Sequence, residues 1–566
     1  MRPLELALVL LNLVTLGVLA VPQLHAVRWT GYVAVIAVLI AIAQIIVEGP
    51  RWQMVPAYML TGLFFLVWLM QNTALAGRPV NRLAAGLAIG LGTMALVISA
   101  ALPIVSPVFR FPRPGGPYAI GTLTYHWVDA ARPELFTADP NDHRELMVQV
   151  WYPAQANLSA PRAPYVQDAG ALAPGLARLA QQNAERLFPG FSLTVPSFPF
   201  THLKYITTNA VPSAPVARDE SSYPVLIFME GLNGLRQMNT FQVEELVSHG
   251  YIVAAIDQPY AAAEVVFPDG RKVGGLSKDQ LNALLQQSIS PVTNAPTLNG
   301  QTLKDGIIPY FAQDAVFTLH QLASLNQADP TGILTGHLDM QRAGAFGVSL
   351  GGIVSAEACH LEHRLRACLV MEAPMPADVV KSGLQQPSMW ITSDADTWRL
   401  QRWSDRDVMQ HQTMRAVFES LPGDGYFVQV PKMFHLNLTD VPLLIYAPFG
   451  RRLGLFGPID AHRVHRIVNA YTLAFFDRHL KGVPATLLDG PAAQYPEVRF
   501  QRRPSVLELA DHSTRAPLRG CRTASNSLHC MHRLQRMRRA WVYQWFGRLG
   551  CLVLAEASKS MNIRQK

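Results

Sequence analysis

The stretch Gly347-Val348-Ser349-Leu350-Gly351-Gly352 constrains this chain more than any other. Residues 343–346 are small and apolar, like the end of a buried strand, and LGGIVSAEAC after Ser349 is compatible with a helix. Gly-x-Ser-x-Gly between a strand and a helix is the form of a sharp turn that lifts a serine above a sheet. Its glycines let strand and helix approach where a Cβ would clash. The helix start then aims backbone N–H groups at any oxyanion formed near Ser349. A Gly-rich turn without chemistry has the same letters, so the rest of the chain must supply a base, an acid and a second oxyanion donor.

The surrounding pattern is that of alternating strands and helices. YPVLIFMEG, YIVAAIDQP, RAGAFGVS, RACLVMEA, SMWITSDAD and YFVQVPKMFH are short apolar runs that read as buried strands. Amphipathic stretches such as TFQVEELVSHG and FAQDAVFTLHQLASL lie between them. This alternation predicts a mostly parallel α/β sheet, with functional groups just past the carboxyl ends of its strands. At those ends stand Glu230-Gly231-Leu232, Asp257, Ser349, Glu372, Asp394 and Asp396, and His435. The order nucleophile, acid, histidine is one in which His435 takes the Ser349 proton and a carboxylate orients the imidazole. The residues themselves leave two places for the acid, Glu372 and the Asp394/Asp396 pair, although SDAD also suits a turn.

Ahead of this body, four long apolar segments follow one another. They are LELALVLLNLVTLGVLAVPQL, residues 29–47, residues 54–75 and residues 83–109. A bilayer core takes about 20 helical residues, so residues 1–109 read as a multi-pass anchor of three or four helices. With four spans, Arg2, Arg51, Arg110 and Arg113 share one side and Arg28, Arg78 and Arg82 the other. That one-residue excess leans towards a cytoplasmic catalytic body. Residues 155–220 are rich in Ala and Pro around the helical stretch GLARLAQQNAERLF, and read as an insertion near the site.

Charge is concentrated at the other end. Residues 501–566 hold 13 Lys/Arg against Glu508, Asp511 and Glu556, a net of +10 within a chain of net +8. The rest is therefore close to neutral, and the basic balance gives no reason to expect nucleic-acid binding by the body. The tail reads as a poorly ordered extension, with HRLQRMRRAWVYQWFGRLG as a stretch that an anionic membrane surface would attract. Five cysteines without ligand spacing offer neither a metal site nor a disulfide framework.

Three separated stretches, in order, resemble the platelet-activating factor acetylhydrolase-like branch of the α/β-hydrolases. YPVLIFMEGLNGLRQMNTFQVEELVSHGYIVAAID resembles its strand, oxyanion turn, helix and strand; LDMQRAGAFGVSLGG its nucleophile region; KMFHLNLTDVPLL its histidine loop. The resemblance covers residues 115–498, and a multi-pass anchor is found in bacterial relatives, which implies a bacterial inner membrane. It implies an α/β-hydrolase fold, no metal and no organic cofactor. It implies a serine hydrolase of esters, with phospholipids carrying short or oxidised acyl chains as one substrate type. In that branch the acid follows the strand after the nucleophile helix, which selects Glu372, where the family usually has Asp. The backbone donors would be the N–H groups of Leu232 and Leu350. Two positions depart from the family: Glu230-Gly231 replaces His-Gly, and Gly347-Val348-Ser349 replaces Gly-His-Ser. An acidic side chain beside the oxyanion would disfavour negative charge there, so a catalytically weak domain serving as a membrane-attached binding or sensing module is the competing expectation. A peptidase or dienelactone-type hydrolase on the same fold is a third. Oligomeric state is left open.

Overall fold

The computed structural model describes residues 1–21, 32–71, 82–156, 159–187 and 194–505. The aromatic, basic part of the tail expected to meet a membrane surface lies outside the described residues. Residues 1–505 form one compact unit.

Four apolar helices come first: α1 (Pro3–Ala20), α2 (Val33–Val47), α3 (Val55–Gln71) and α4 (Arg82–Val105). By length and composition, three segments could cross a membrane: Pro3–Ala20, Trp52–Met70 and Leu83–Val105. α2 is as apolar but shorter, at 15 residues. The expectation of three or four spans thus resolves to three helices of sufficient length among the described residues.

A ten-stranded sheet forms the body, in the order β14-β13-β12-β11-β10-β4-β5-β2-β1-β3. Its strands are β1 (Ala119–Pro133), β2 (His143–Ala154), β3 (Ala210–Pro212), β4 (Tyr223–Met229), β5 (Ile252–Asp257), β10 (Leu338–Val348), β11 (Leu365–Met371), β12 (Ser388–Thr392), β13 (Gly425–Gln429) and β14 (Arg499–Arg503). Two small hairpins lie outside it, β6 (Glu264–Val266) with β7 (Lys272–Gly274), and β8 (Thr297–Leu298) with β9 (Gln301–Thr302). The run from β5 through β4, β10, β11 and β12 to β13 is parallel throughout. All six expected runs are these strands. β14 pairs antiparallel with β13 and carries the sheet past residue 498.

Burial on both faces explains why the central parts of the parallel strands are apolar on both sides. In β4, Val225, Ile227 and Met229 join one core while Leu226 and Phe228 join the other. The first core is covered by α7 (Lys278–Ile289), α8 (Ile308–Gln327), α9 (Leu350–Leu361), α10 (Ala377–Ser382), α11 (Ala395–Leu400), α12 (Asp405–His411) and α13 (Thr413–Ser420). The second is covered by α6 (Thr240–Ser248) and α16 (Ala461–Phe476). Parallel connections with helices on both faces bring the loops that follow β4, β10, β11 and β13 to one edge of the sheet.

A third apolar cluster sits over that edge. The insertion helix α5 (Ala169–Leu187) contributes Leu172 and Leu176, which pack with Phe111, Leu203, Leu235 and Met238. The short α14 (Val441–Leu444) adds Val441 and Leu444, and α15 (Ala447–Arg452) follows. Here the apolar N-terminal helices also meet the body. Trp52 donates its indole N–H to Pro199 O at 3.0 Å, and Tyr446 N–H donates to Val105 O at 3.0 Å.

Candidate active site

Ser349 is the residue between β10 and α9. Its backbone is at φ 57° and ψ −122°, a conformation that L side chains avoid and that persists only where the surroundings enforce it. The enforcement is visible. Ser349 N–H donates to Met371 O at 2.9 Å, and Ser349 O accepts from Gly352 N–H at 2.9 Å. A Cβ on Gly351 would lie 2.0 Å from Met229 O, and one on Gly347 would lie 2.3 Å from Gly351 O. The motif's glycines are therefore demanded by backbone contact across the turn.

The turn after β4 stands against this serine. A Cβ on Gly231 would lie 3.3 Å from Ser349 Cβ and 3.9 Å from Ser349 Oγ. The turn is pinned by Gly234 N–H to Gly231 O at 2.8 Å and by Asn233 N–H to Ala261 O at 2.6 Å. Among the described residues neither Leu232 N–H nor Leu350 N–H is donated to a protein acceptor. Leu232 follows the glycine that lies against Ser349, and Leu350 follows Ser349 itself, so each turn carries one undonated N–H.

Glu372 follows β11 directly, at φ 45°. It is fully buried, and its two oxygens have different tasks. Oε2 lies 2.9 Å from His435 Nδ1. Oε1 accepts from Ser393 N–H at 3.0 Å, from the Ser393 hydroxyl, and from the Trp398 indole N–H at 3.0 Å. Burial pushes this carboxyl up, but the hydrogen bonds and the charge of His435 outweigh it and hold the group below the usual carboxylate range. A carboxylate on Nδ1 fixes the imidazole tautomer and leaves Nε2 as the basic nitrogen.

His435 opens a short 3₁₀ turn, His435–Leu438, beyond β13. Its backbone N–H donates to Gln401 Oε1 at 2.9 Å, and the Trp403 ring meets the imidazole edge-on at 5.7 Å. The loop is tied to α6 by Asp440, whose carboxyl group accepts from Thr240 N–H at 2.8 Å and Phe241 N–H at 3.1 Å. Among the described residues no hydrogen bond joins Ser349 Oγ to His435; nucleophile–base contacts are commonly loose before substrate binds.

The alternative acids are engaged elsewhere. Asp394 caps α11, accepting Thr397 N–H at 3.0 Å, and pairs with Arg499 at 3.0 Å. Asp396 is exposed and pairs with Arg399 at 3.2 Å.

Glu230 departs from expectation. It is 2% exposed, and burial first, then the charge of Asp257, hold its carboxyl well above the usual range. That shift works against the negative charge expected of an acidic side chain beside an oxyanion. Trp398, Ser393, Gln401 and Asp440 carry no motif signal: each lies in a loop or short helix and acquires its partner only through the fold.

The insertion reaches this site, since Asn233 Nδ2 donates to Gln182 Oε1 of α5 at 3.2 Å. Among the described residues no cluster of three or more metal-ligating side chains is present.

Residues 104–273 and 323–484 match the family described as platelet-activating factor acetylhydrolase, isoform II. The platelet-activating factor acetylhydrolase of Gallus gallus is 21% identical over 272 residues, which is 46% of this chain and 62% of that protein. That of Cavia porcellus is 25% identical over 285 residues, 46% of this chain and 58% of the relative. A probable 1-alkyl-2-acetylglycerophosphocholine esterase of Arthroderma benhamiae is 24% identical over 294 residues, 50% and 67% of the two chains. The chain thus spans about three fifths of the length of the curated relatives it matches. A solved ferulic acid esterase from Streptomyces cinnamoneus superposes with a TM-score of 0.51 at 25% identity, over 70% of this chain and 100% of that one.

Proposed function

The chain belongs to the platelet-activating factor acetylhydrolase isoform II family, and we propose that it is a membrane-anchored serine hydrolase of carboxylic esters. Its substrates are lipid-like, with short or oxidised acyl chains on a phospholipid as the favoured type. The observation that carries this reading is the 2.9 Å hydrogen bond from His435 Nδ1 to the buried Glu372, at the same sheet edge as the strained Ser349.

In the proposed reaction Ser349 Oγ attacks the ester carbonyl carbon while its proton passes to His435 Nε2. Charge builds on the carbonyl oxygen, where the N–H groups of Leu232 and Leu350 stabilise it. The C–O bond to the alcohol then breaks, and the alcohol leaves with the proton from His435. An acyl ester on Ser349 remains. Water attacks it, giving its proton to His435, and Ser349 is released with the carboxylic acid. Glu372 stays ionised and stabilises the imidazolium at each stage.

α1, α3 and α4 are the proposed membrane-spanning helices. Trp52 sits at the start of one such segment and meets Phe198 of the body edge-to-face at 5.4 Å. Such amphipathic rings favour the membrane–water boundary, which would put the site's apolar cover close to lipid. The test is labelling by a fluorophosphonate probe. The wild-type protein should be labelled and Ser349→Ala should not; a folded wild-type protein that resists the probe and hydrolyses no ester would leave only the binding-module reading.

A further inference from the structure

Glu230 and Asp257 end neighbouring strands at the same height. Met229 pairs with Ile256 in the parallel register of β4 and β5, so the residue that follows each of them stands beside its neighbour at the carboxyl edge. Both side chains are buried, and the register sets the two carboxyl-bearing residues side by side. Asp257 is fully engaged: Oδ1 accepts Arg236 N–H at 2.6 Å and Oδ2 accepts the Arg236 guanidinium. Glu230 Oε1 accepts only a long 3.4 Å bond from Gln258 N–H, and Oε2 has no donor directed at it. One cation therefore faces two carboxyls. Two carboxylates this close in a buried site do not both ionise. Asp257 has two donors and Glu230 Oε2 has none, and burial with the neighbouring charge holds the Glu230 carboxyl well above the usual range.

We propose that Glu230 is a positioning residue of the oxyanion turn, donating a hydrogen bond from its carboxyl to Asp257 and so holding residues 231–236 with Leu232 N–H towards Ser349. The turn is fixed at its far end by Asp257 through Arg236 N–H, in its middle by Asn233 N–H to Ala261 O, and at its near end by Glu230, whose Cβ would stand 3.3 Å from a Cβ on Gly234. The inference rests on the ester-hydrolase reading for its catalytic consequence, though not for its structural one.

The charged groups facing Glu230 are Asp257 from β5 and Arg236 from the turn. Behind them, Gln258 donates its amide to Asp314 of α8 at 2.8 Å, and Asp314 pairs with Arg144 of β2 at 2.7 Å. Ionising Glu230 sets a second anion against Asp257 with one Arg236 between them, and the repulsion displaces the turn. An unfolded carboxyl releases its proton near pH ~4.3. Between that value and the raised folded value the folded state binds one proton more, so stability falls as pH rises through this window.

The experiment compares the full chain in detergent with Glu230→Gln, an isosteric donor that cannot ionise. Thermal midpoints are measured from about pH 5 to about pH 9, and kcat and KM on a soluble short-chain aryl ester over the same range. Glu230→Gln should lose the alkaline fall in kcat and lose less thermal stability as pH rises. Parallel midpoint profiles for the two proteins, or a neutral-pH kcat more than about tenfold lower in a folded Glu230→Gln, would overturn the proposal. Asp257→Asn is the second variant. With the neighbouring charge gone, Glu230 ionises at lower pH and the fall in stability moves down with it; an unmoved profile also overturns the idea. The thermal readout needs no turnover, so it decides the matter even if ester hydrolysis is absent, and probe labelling of Ser349 reports separately on that reading.

Discussion

The indole N–H of Trp398 donates to Glu372 Oε1 over 3.0 Å, on the oxygen opposite the one held by His435. Trp398 thereby helps to keep a fully buried carboxylate ionised, and its ring stacks on Trp403, which in turn meets His435. Trp398→Phe preserves the ring and deletes one of the donors. The expected loss is about tenfold in kcat at unchanged KM, the scale of one hydrogen bond to a charged group.

The same residue gives a pH prediction. Glu372 ionises below its ordinary range in the folded protein. Its contribution to stability is therefore present above the unfolded carboxyl value and is lost as pH falls through the folded value. In Trp398→Phe the folded value rises towards normal, so acid destabilisation should begin at higher pH. Thermal midpoints of the two proteins on the acid side check this, and coincident curves would refute it.

Glu372→Gln should lose on the order of 10⁴ in turnover, because an amide favours the wrong imidazole tautomer. Asp396→Asn should be close to wild type in both rate and stability. Asp394→Asn should retain turnover and lose about 1 kcal/mol at most, the scale of a helix cap. Finding Asp394→Asn inactive and Glu372→Gln active would transfer the acid to the later strand end.

Two glycines next to Ser349 should behave differently. Gly351→Ala forces a Cβ to 2.0 Å from a backbone oxygen and should prevent the elbow from forming, giving little folded protein. Gly231→Ala would set its Cβ 3.3 Å from Ser349 Cβ and 3.5 Å from Val348 O. It should fold and lose activity by about tenfold or more through displacement of the nucleophile. Circular dichroism with esterase assays separates the two outcomes.

Removing one oxyanion donor is the sharpest test of the turn. Leu232→Pro deletes the N–H and should reduce kcat by roughly 10²–10³. Fluorophosphonate labelling should slow in step, while the thermal midpoint reports whether proline has disturbed the fold. Unchanged kcat in a folded variant would remove Leu232 from the site.

The N-terminal helices are locked by a buried pair. Arg51 grips Glu5 with two bonds of 2.6 Å and reaches Ser106 O at 2.9 Å where α4 ends. Arg51→Leu strands a buried carboxylate that only Arg2 still touches, and should cost about 3 kcal/mol. The double variant Glu5→Leu/Arg51→Leu should be more stable than Arg51→Leu, as read from unfolding in detergent.

Much of this architecture is local in origin and was legible residue by residue. Central parallel strands are buried on both faces, so Tyr223–Met229 and residues 367–371 read as unbroken apolar runs. The elbow announces itself in its letters, with Gly347 required by Gly351 O within the turn, whereas Gly351 is required by Met229 O of β4. Long apolar helices are equally plain in composition, although where each one stops was not. What the letters could not decide was which of several carboxyls faces what. Glu372 and Asp394 both follow apolar strands, and only the packing of the loop after β13 brings the imidazole of His435 to one and leaves the other capping α11. Glu230 reads as a charge beside the oxyanion, yet the register of β4 against β5 sets it next to Asp257, where burial and a like charge push its carboxyl well above the usual range. Ionisation and orientation depend on neighbours that are distant in the chain, and those neighbours exist only once the sheet has formed.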